Sequence, residues 1–341
     1  MSGIKGLRVA VVGATGVVGR EMIAVLASRR FPVADLLPLA SERSAGEHVE
    51  WGGADVLVEA LDDDAFEGID LALFSAGASV SERYAPLAVK AGAVVVDNTS
   101  AFRMLPEVPL VVPEINAHAL VGHRGIIANP NCSTIQMVLA LAPLEAAAGV
   151  ERVVVSTYQA ASGAGRDAMD ELRDQTIDLL NFREAKVKHF ARRLAFDVIP
   201  QIDTFQPDGR TREERKMIDE PRKIMERPDL RVAVTCVRVP VFVGHCVSLN
   251  VELRGPLPLA RALEVLRAAP GLVVADRPED FPTAADAAGQ DEVFIGRVRI
   301  DDSVPHGLDL WVVADNLRKG AATNAVQICE ALLARDLLRV P

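Results

Sequence analysis

The sequence is poor in positive charge: 37 lysines and arginines face 47 aspartates and glutamates, for a net charge of −10. Nucleic acids and anionic membranes are recognised by clustered cations, so neither is an expected partner. Long apolar runs are missing as well. The richest, residues 137–148, is interrupted by Pro143 and Glu145 and falls short of the roughly 20 residues that cross a bilayer. No positively charged start leads into an apolar stretch, so no secretory leader is expected and the protein is placed in the cytoplasm. Cysteine is scarce. Cys132, Cys236, Cys246 and Cys329 lie far apart with no CxxC pair, which suits a reducing compartment better than a disulfide framework. None of the six histidines falls into HExxH or a Cys/His cluster, so no metal site is expected. His118 and His123, in a polar stretch that contains glycine, read as surface residues. Internal repeats and low-complexity linkers are absent too.

What is present suits a folded enzyme. Half the residues are hydrophobic and a quarter charged, and 341 residues exceed what one core usually organises. Apolar runs at 8–12, 35–39, 56–60, 69–74 and 93–96 alternate with helix-like segments such as 17–28. Continuous apolar strands of this kind belong to a parallel sheet covered on both faces, in a doubly wound, Rossmann-type α/β domain. After Cys132 the pattern changes. Helical runs at 134–148 and 167–180 mix with strands at 152–158, 230–237, 241–253 and 293–300, which are longer and alternate more clearly. They predict a second, α+β domain with a mixed sheet. The expected division is 1–132 for dinucleotide binding and 133–316 for the second domain, with a terminal helix, 317–341, packing back onto the first.

Gly13-Ala14-Thr15-Gly16-Val17-Val18-Gly19 directly follows the first strand and opens a helix. Glycines let the backbone approach a pyrophosphate, whose charge the helix N-terminus attracts. An acid near the end of the second strand suits NAD, whereas arginine suits the 2′-phosphate of NADP. In Ser41-Glu42-Arg43-Ser44 the arginine stands between two hydroxyl residues and favours NADP, with Glu42 the dissenting residue.

Asn129-Pro130-Asn131-Cys132-Ser133-Thr134 carries the most chemical information. Asn-Pro forces an extended or turned backbone, and Ser/Thr then start a helix. Cys132 is thus placed at a helix N-terminus, where the dipole and free N–H groups stabilise a thiolate. The same groups can receive a developing oxyanion. His245, in the alternating run 241–249, shares a strand face with Val243 and Val247 while Cys246 points the other way. Taken alone, a histidine among valines reads as a core residue.

The GATGVVG turn, NPNCST, Tyr158-Gln159-Ala160-Ala161-Ser162-Gly163-Ala164-Gly165, and Arg238 seven residues before His245 together resemble bacterial aspartate-semialdehyde dehydrogenase, in the family's order and over nearly the whole chain. The resemblance implies NADPH-dependent reductive dephosphorylation of β-aspartyl phosphate to aspartate β-semialdehyde and phosphate, within biosynthesis of the aspartate-derived amino acids. It makes Cys132 the nucleophile that carries a thioester, His245 the acid/base and Gln159 an aid to acyl orientation. Arg238 would take the α-carboxylate, Glu220 the α-ammonium group, and Arg103 and Lys223 the phosphate. Cofactor contacts would come from Gly13, Thr15, Gly16, Val17, Val18, Gly19, Ser41, Arg43, Ser44, Ser75, Gly77, Ser162, Gly163 and Asn316. A homodimer paired through the second domain is implied too.

Pro221 departs from the usual family pattern. Inside the helical stretch 212–227 it predicts a kink or break next to Glu220. Taken singly, Glu220 and Lys223 read as solvated charges, although their i,i+3 spacing puts both on one helix face. Two other readings stand beside this one. N-acetyl-glutamyl-phosphate reductase shares the architecture and thioester chemistry but typically has glycine where this chain has Asn131. A non-catalytic dinucleotide-binding relative would be expected to lose the nucleophile or its base, and here both are present.

Overall fold

The computed structural model describes residues 6–338; residues 1–5 and 339–341, at the ends of the first and last segments considered above, lie outside the described residues. The chain forms two compact units, one running to Asn131 and resuming at Ala321, the other Cys132–Gly320.

The first unit is built on a six-stranded sheet whose pairs are all parallel, in the order Glu59–Ala60, Val33–Ala40, Leu7–Val12, Leu71–Phe74, Val94–Asp97, Ile126–Ala128. Strand side chains alternate between faces, and here both faces are dry. Val9, Val11, Leu71, Leu73, Val94 and Val96 enter one core together with Met22, Val25 and Leu26 of helix Val17–Ser28 and Ala325, Ile328 and Leu332 of helix Thr323–Ala334. Ala10, Val12, Ala72, Phe74 and Val95 enter the other, under Ala85 and Ala88 of helix Ala78–Lys90. Each fully buried Val or Leu contributes about 1.5–3 kcal/mol relative to exposure, which explains the unbroken apolar strands. The order of strands reverses between Leu7–Val12 and Leu71–Phe74, and ligands of such sheets bind beyond the carboxyl ends of the strands at that switch point.

One expected strand is two features. Ala54–Leu57 pairs antiparallel with His48–Trp51 in a separate hairpin, and only Glu59–Ala60 joins the sheet. His123 corrects the surface reading. It is buried, its Nδ1 accepts the Gly125 N–H, and its Nε2 bonds the Leu337 carbonyl, holding the C-terminal segment.

The second unit has a six-stranded mixed sheet: Arg231–Arg238, Val150–Gln159, His245–Leu253, Gly307–Ala314, Val293–Asp301, Leu272–Val274. The two outermost pairs are parallel and the three inner ones antiparallel. Val247, Leu249 and Val251 are fully buried on one face, and on the other Tyr158 packs against Trp311 with ring centroids 5.5 Å apart and the planes tilted by 51°. Gln159 and Arg238 end adjacent parallel strands in direct register. His245 opens the neighbouring antiparallel strand rather than lying within it, because Gly244, at φ +93°, turns the chain just before it. Three candidate residues therefore meet at one end of the sheet. Among the described residues no helix is long and apolar enough to cross a membrane.

Candidate active site

In the first unit the glycine turn meets the second turn of the switch point. Gly13 has φ +86°, and a Cβ there would lie 3.0 Å from the backbone N of Ala76, between Ser75 and Gly77. A Cβ on Gly19 would collide with the Gly13 carbonyl, so the helix packs tightly on its own turn. Gly16 precedes helix Val17–Ser28 with no side chain capping the first turn. The amides around Thr15, Val17 and Val18 are thus placed as an anion needs them. Ser75 Oγ donates to the Val12 carbonyl at 3.3 Å. After the second strand, Ser44 N–H donates to the Ser41 carbonyl at 2.9 Å. The turn so formed leaves Arg43 exposed, without a hydrogen bond or ion pair among the described residues. These features fit the pyrophosphate and 2′-phosphate of NADP.

Arg103 is held in the same unit by polar groups the sequence reading missed. It is buried and donates to the Asn98 carbonyl at 2.8 Å. The Asn98 side chain accepts from Asn129 Nδ2 at 2.7 Å, and Asn129 Oδ1 accepts from Asn324 Nδ2 at 2.7 Å. Next door, buried Asp97 accepts from Ser81 and Thr99; burial pushes its carboxyl above the usual range against these bonds.

In the second unit Cys132 is the first residue of helix Cys132–Ala148, and it alone of the four cysteines is not fully buried. Gly320 is packed against it, since a Cβ there would lie 2.9 Å from Cys132 Cβ. Burial pushes the Cys246 thiol up to about 11, and the Cys236 and Cys329 thiols higher still. Those three are poor nucleophiles.

His245 is completely buried. Its Nδ1 accepts the Ala160 N–H at 3.1 Å, while Nε2 finds no hydrogen-bond partner among the described residues. An amide can only donate, so the neutral ring carries its proton on Nε2. Burial, then the Arg238 guanidinium, push the imidazole down to about 3. Arg238 donates to the Ala160 carbonyl at 2.6 Å. Burial lowers its basicity, while the charges of Glu213 and Cys132 act in the opposite direction. Gly163 approaches both residues; a Cβ there would stand 3.1 Å from His245 Nε2 and 3.2 Å from Arg238 Nη1. The loop is fixed because Ala161 and Ser162 donate to the Val241 and Phe242 carbonyls at 2.8 and 3.0 Å. Asn316 Oδ1 accepts from Ser162 Oγ and Gly244 N, each at 3.0 Å.

Helix Arg212–Ile224 runs through Pro221 without the expected break. Proline removes one N–H and crowds the preceding turn, yet the helix continues through it to Ile224, and the Pro221 carbonyl still accepts from Met225 N–H at 2.9 Å. Glu220 is buried, not solvated, and Lys223 is half-buried on the same helix. The sequence reading overlooked Glu213. This buried acid accepts from Gln159 Nε2 at 3.3 Å, and its signal was Thr211-x-x-Glu214, the capping box that assigns the neighbouring acid to the helix start.

Residues 8–123 match the family model described as semialdehyde dehydrogenase, NAD binding domain, and residues 141–319 match semialdehyde dehydrogenase, dimerisation domain. The aspartate-semialdehyde dehydrogenase of Aquifex aeolicus is 51% identical over 98% of this chain and 100% of its own length. That of Bacillus subtilis is 50% identical over 98% and 99%. The crystal structure of aspartate semialdehyde dehydrogenase II from Vibrio cholerae, complexed with ASA, aligns with a TM-score of 0.94 at 49% identity, covering 97% of this chain and 99% of that one. With both halves matched and relatives half-identical from end to end, the chain belongs to the aspartate-semialdehyde dehydrogenase family.

Proposed function

We propose that this chain catalyses the reversible, NADP-dependent conversion of β-aspartyl phosphate to aspartate β-semialdehyde and phosphate, with the acyl group carried on Cys132 as a thioester. The observation that carries the reading is the contrast among the thiols: Cys132 opens a helix and reaches the surface, while Cys236, Cys246 and Cys329 are buried. The positive end of the helix favours the thiolate. Cys132 Sγ attacks the acyl carbon, the bond to the phosphate oxygen breaks, and phosphate leaves with that electron pair. The turn from Gly13 to Gly19 would hold NADPH, with Arg43 on its 2′-phosphate, and the cofactor would supply the hydride. His245, with its proton on Nε2, gives that proton to the oxygen on which negative charge develops and takes it back when the C–S bond breaks. Burial keeps the ring neutral at rest, so its one ring N–H, on Nε2, is what it offers the reacting oxygen.

Arg238 is the partner for the α-carboxylate, since a guanidinium can grip it with two parallel bonds. Glu220 takes the α-ammonium group, and Arg103 and Lys223 the phosphate. The oligomer proposed is a homodimer formed through the second unit, supported by the exposed rings of Tyr158 and Phe281 on either side of half-buried Trp311.

The test is phosphate-dependent reduction of NADP by aspartate β-semialdehyde, followed by mass spectrometry of protein mixed with aspartyl phosphate and no cofactor. An acyl adduct on the peptide containing Cys132 is expected. No turnover, or an adduct on Cys246 instead, overturns the reading.

A further inference from the structure

Glu213 occupies the first turn of helix Arg212–Ile224, one residue before Glu214. Glu214 takes the capping role: it accepts the Thr211 N–H at 2.8 Å while its own N–H donates to Thr211 Oγ1 at 3.2 Å. Glu213 has no part in that cap, yet it is almost fully buried, where a carboxylate is costly without partners. It pairs with Lys216 Nζ at 3.0 Å and accepts from Gln159 Nε2 at 3.3 Å. Gln159 Nε2 also donates to Thr157 Oγ1 at 3.3 Å.

The polarity of these contacts matters. An amide nitrogen has two hydrogens, and an ionised carboxylate only accepts. Turning the Gln159 amide over would set its oxygen against the Glu213 carboxylate, so Nε2 must face Glu213. With Thr157 taking the second hydrogen, Gln159 has no N–H left to give, and only Oε1 remains.

We propose that Glu213 is a positioning residue acting through Gln159, orienting its amide so that Gln159 offers the reaction a hydrogen-bond acceptor and not a donor. This rests on the thioester reading above. An acceptor serves a group that still bears hydrogen: the Cys132 thiol, or the hydroxyl of the tetrahedral adduct after His245 has protonated it. It cannot stabilise an oxyanion, and that duty falls to donors such as His245 Nε2. The same carboxylate also opposes the loss of basicity that burial imposes on Arg238 and His245.

The experiment uses the full-length protein with semialdehyde, phosphate and NADP, separating kcat from KM. Glu213→Gln replaces the acceptor-only carboxylate by a group that can also donate, which frees the Gln159 amide to turn. Its kcat should fall about tenfold or more, the scale on which misoriented groups act, with KM for the semialdehyde changed less than about threefold. Glu213→Asp, which keeps the carboxylate, should recover most of the loss. Thr157→Val removes the other acceptor and should lower kcat several-fold at constant KM. Wild-type kcat in Glu213→Gln, or a raised KM with kcat intact, overturns the proposal. If Glu213→Gln fails to fold, Thr157→Val decides, and an unchanged kcat there overturns it. An inactive wild type removes the thioester reading and this one together; an active wild type with unaffected variants removes this one alone.

Discussion

The Ala160 N–H donates to His245 Nδ1 at 3.1 Å, so one backbone group selects which ring nitrogen of the histidine carries a proton. The Ala160 carbonyl meanwhile accepts from Arg238 at 2.6 Å. A single residue of backbone therefore sets which ring nitrogen of His245 carries the proton and the posture of the Arg238 guanidinium. His245→Asn cannot transfer a proton, and turnover should fall about 10²–10⁴-fold with a much smaller change in substrate affinity. Steady-state kinetics across pH check this; near-normal turnover with an unchanged profile would return His245 to the core.

Gly163→Ala should impair the site while sparing the fold. The added methyl would stand 3.1 Å from His245 Nε2 and 3.2 Å from Arg238 Nη1, tighter than ordinary contact. Both side chains would have to yield by a few tenths of an ångström; since misplacement by about 1 Å costs about 10²-fold, a loss of up to about tenfold is expected. Activity measured beside thermal unfolding separates the two effects. Full activity would show that the loop moves aside.

Arg43→Ala should weaken NADP binding by about 1.5–3 kcal/mol, the scale of a hydrogen bond to a charged group. That is roughly ten- to a hundredfold in dissociation constant, with NAD binding nearly unchanged. Titration of both cofactors is the measurement. Equal losses would mean that Arg43 does not read the 2′-phosphate.

Acid should destabilise the protein partly through its buried histidines. Burial holds His245 neutral down to about 3, against an ordinary value of 6.5, and burial lowers His123 as well. Below about pH 6.5 the unfolded chain then binds protons that the folded chain refuses, so stability falls as pH drops from there toward 3. Thermal midpoints from pH 7 to 5 should fall less steeply in His245→Asn than in the wild type. Parallel slopes would refute the assignment.

Much of this was legible because its causes are local. The glycines after the first strand, the cysteine after Asn-Pro-Asn and the period-two strands each announce their geometry within a few residues. The start of the strand at His245 was not, although Gly244 inside an apparently continuous run was a clue. Glu213 was harder still. Arg212-Glu213-Glu214-Arg215-Lys216 looks like any solvated helix start, yet both acids are buried, and only the approach of the Gln159 strand decides which of them meets Gln159. The fate of His123 likewise depends on a carbonyl 214 residues away.

Asn98, Asn129 and Asn324 form a chain in which each Nδ2 donates to the oxygen of the next, from Asn324 through Asn129 to Asn98. The direction of one amide dictates the other two, because reversing any of them sets oxygen against oxygen or nitrogen against nitrogen. For sequence drift these three distant positions behave as one locus. Aspartate at the centre would lose the bonds that Asn129 Nδ2 donates to Asn98 Oδ1 and to the Ala321 carbonyl, and leucine would strand the amides on either side. Exchange at one of the three is therefore coupled to the other two, and the turn that runs from Asn129 to Cys132 takes that constraint from the C-terminal helix.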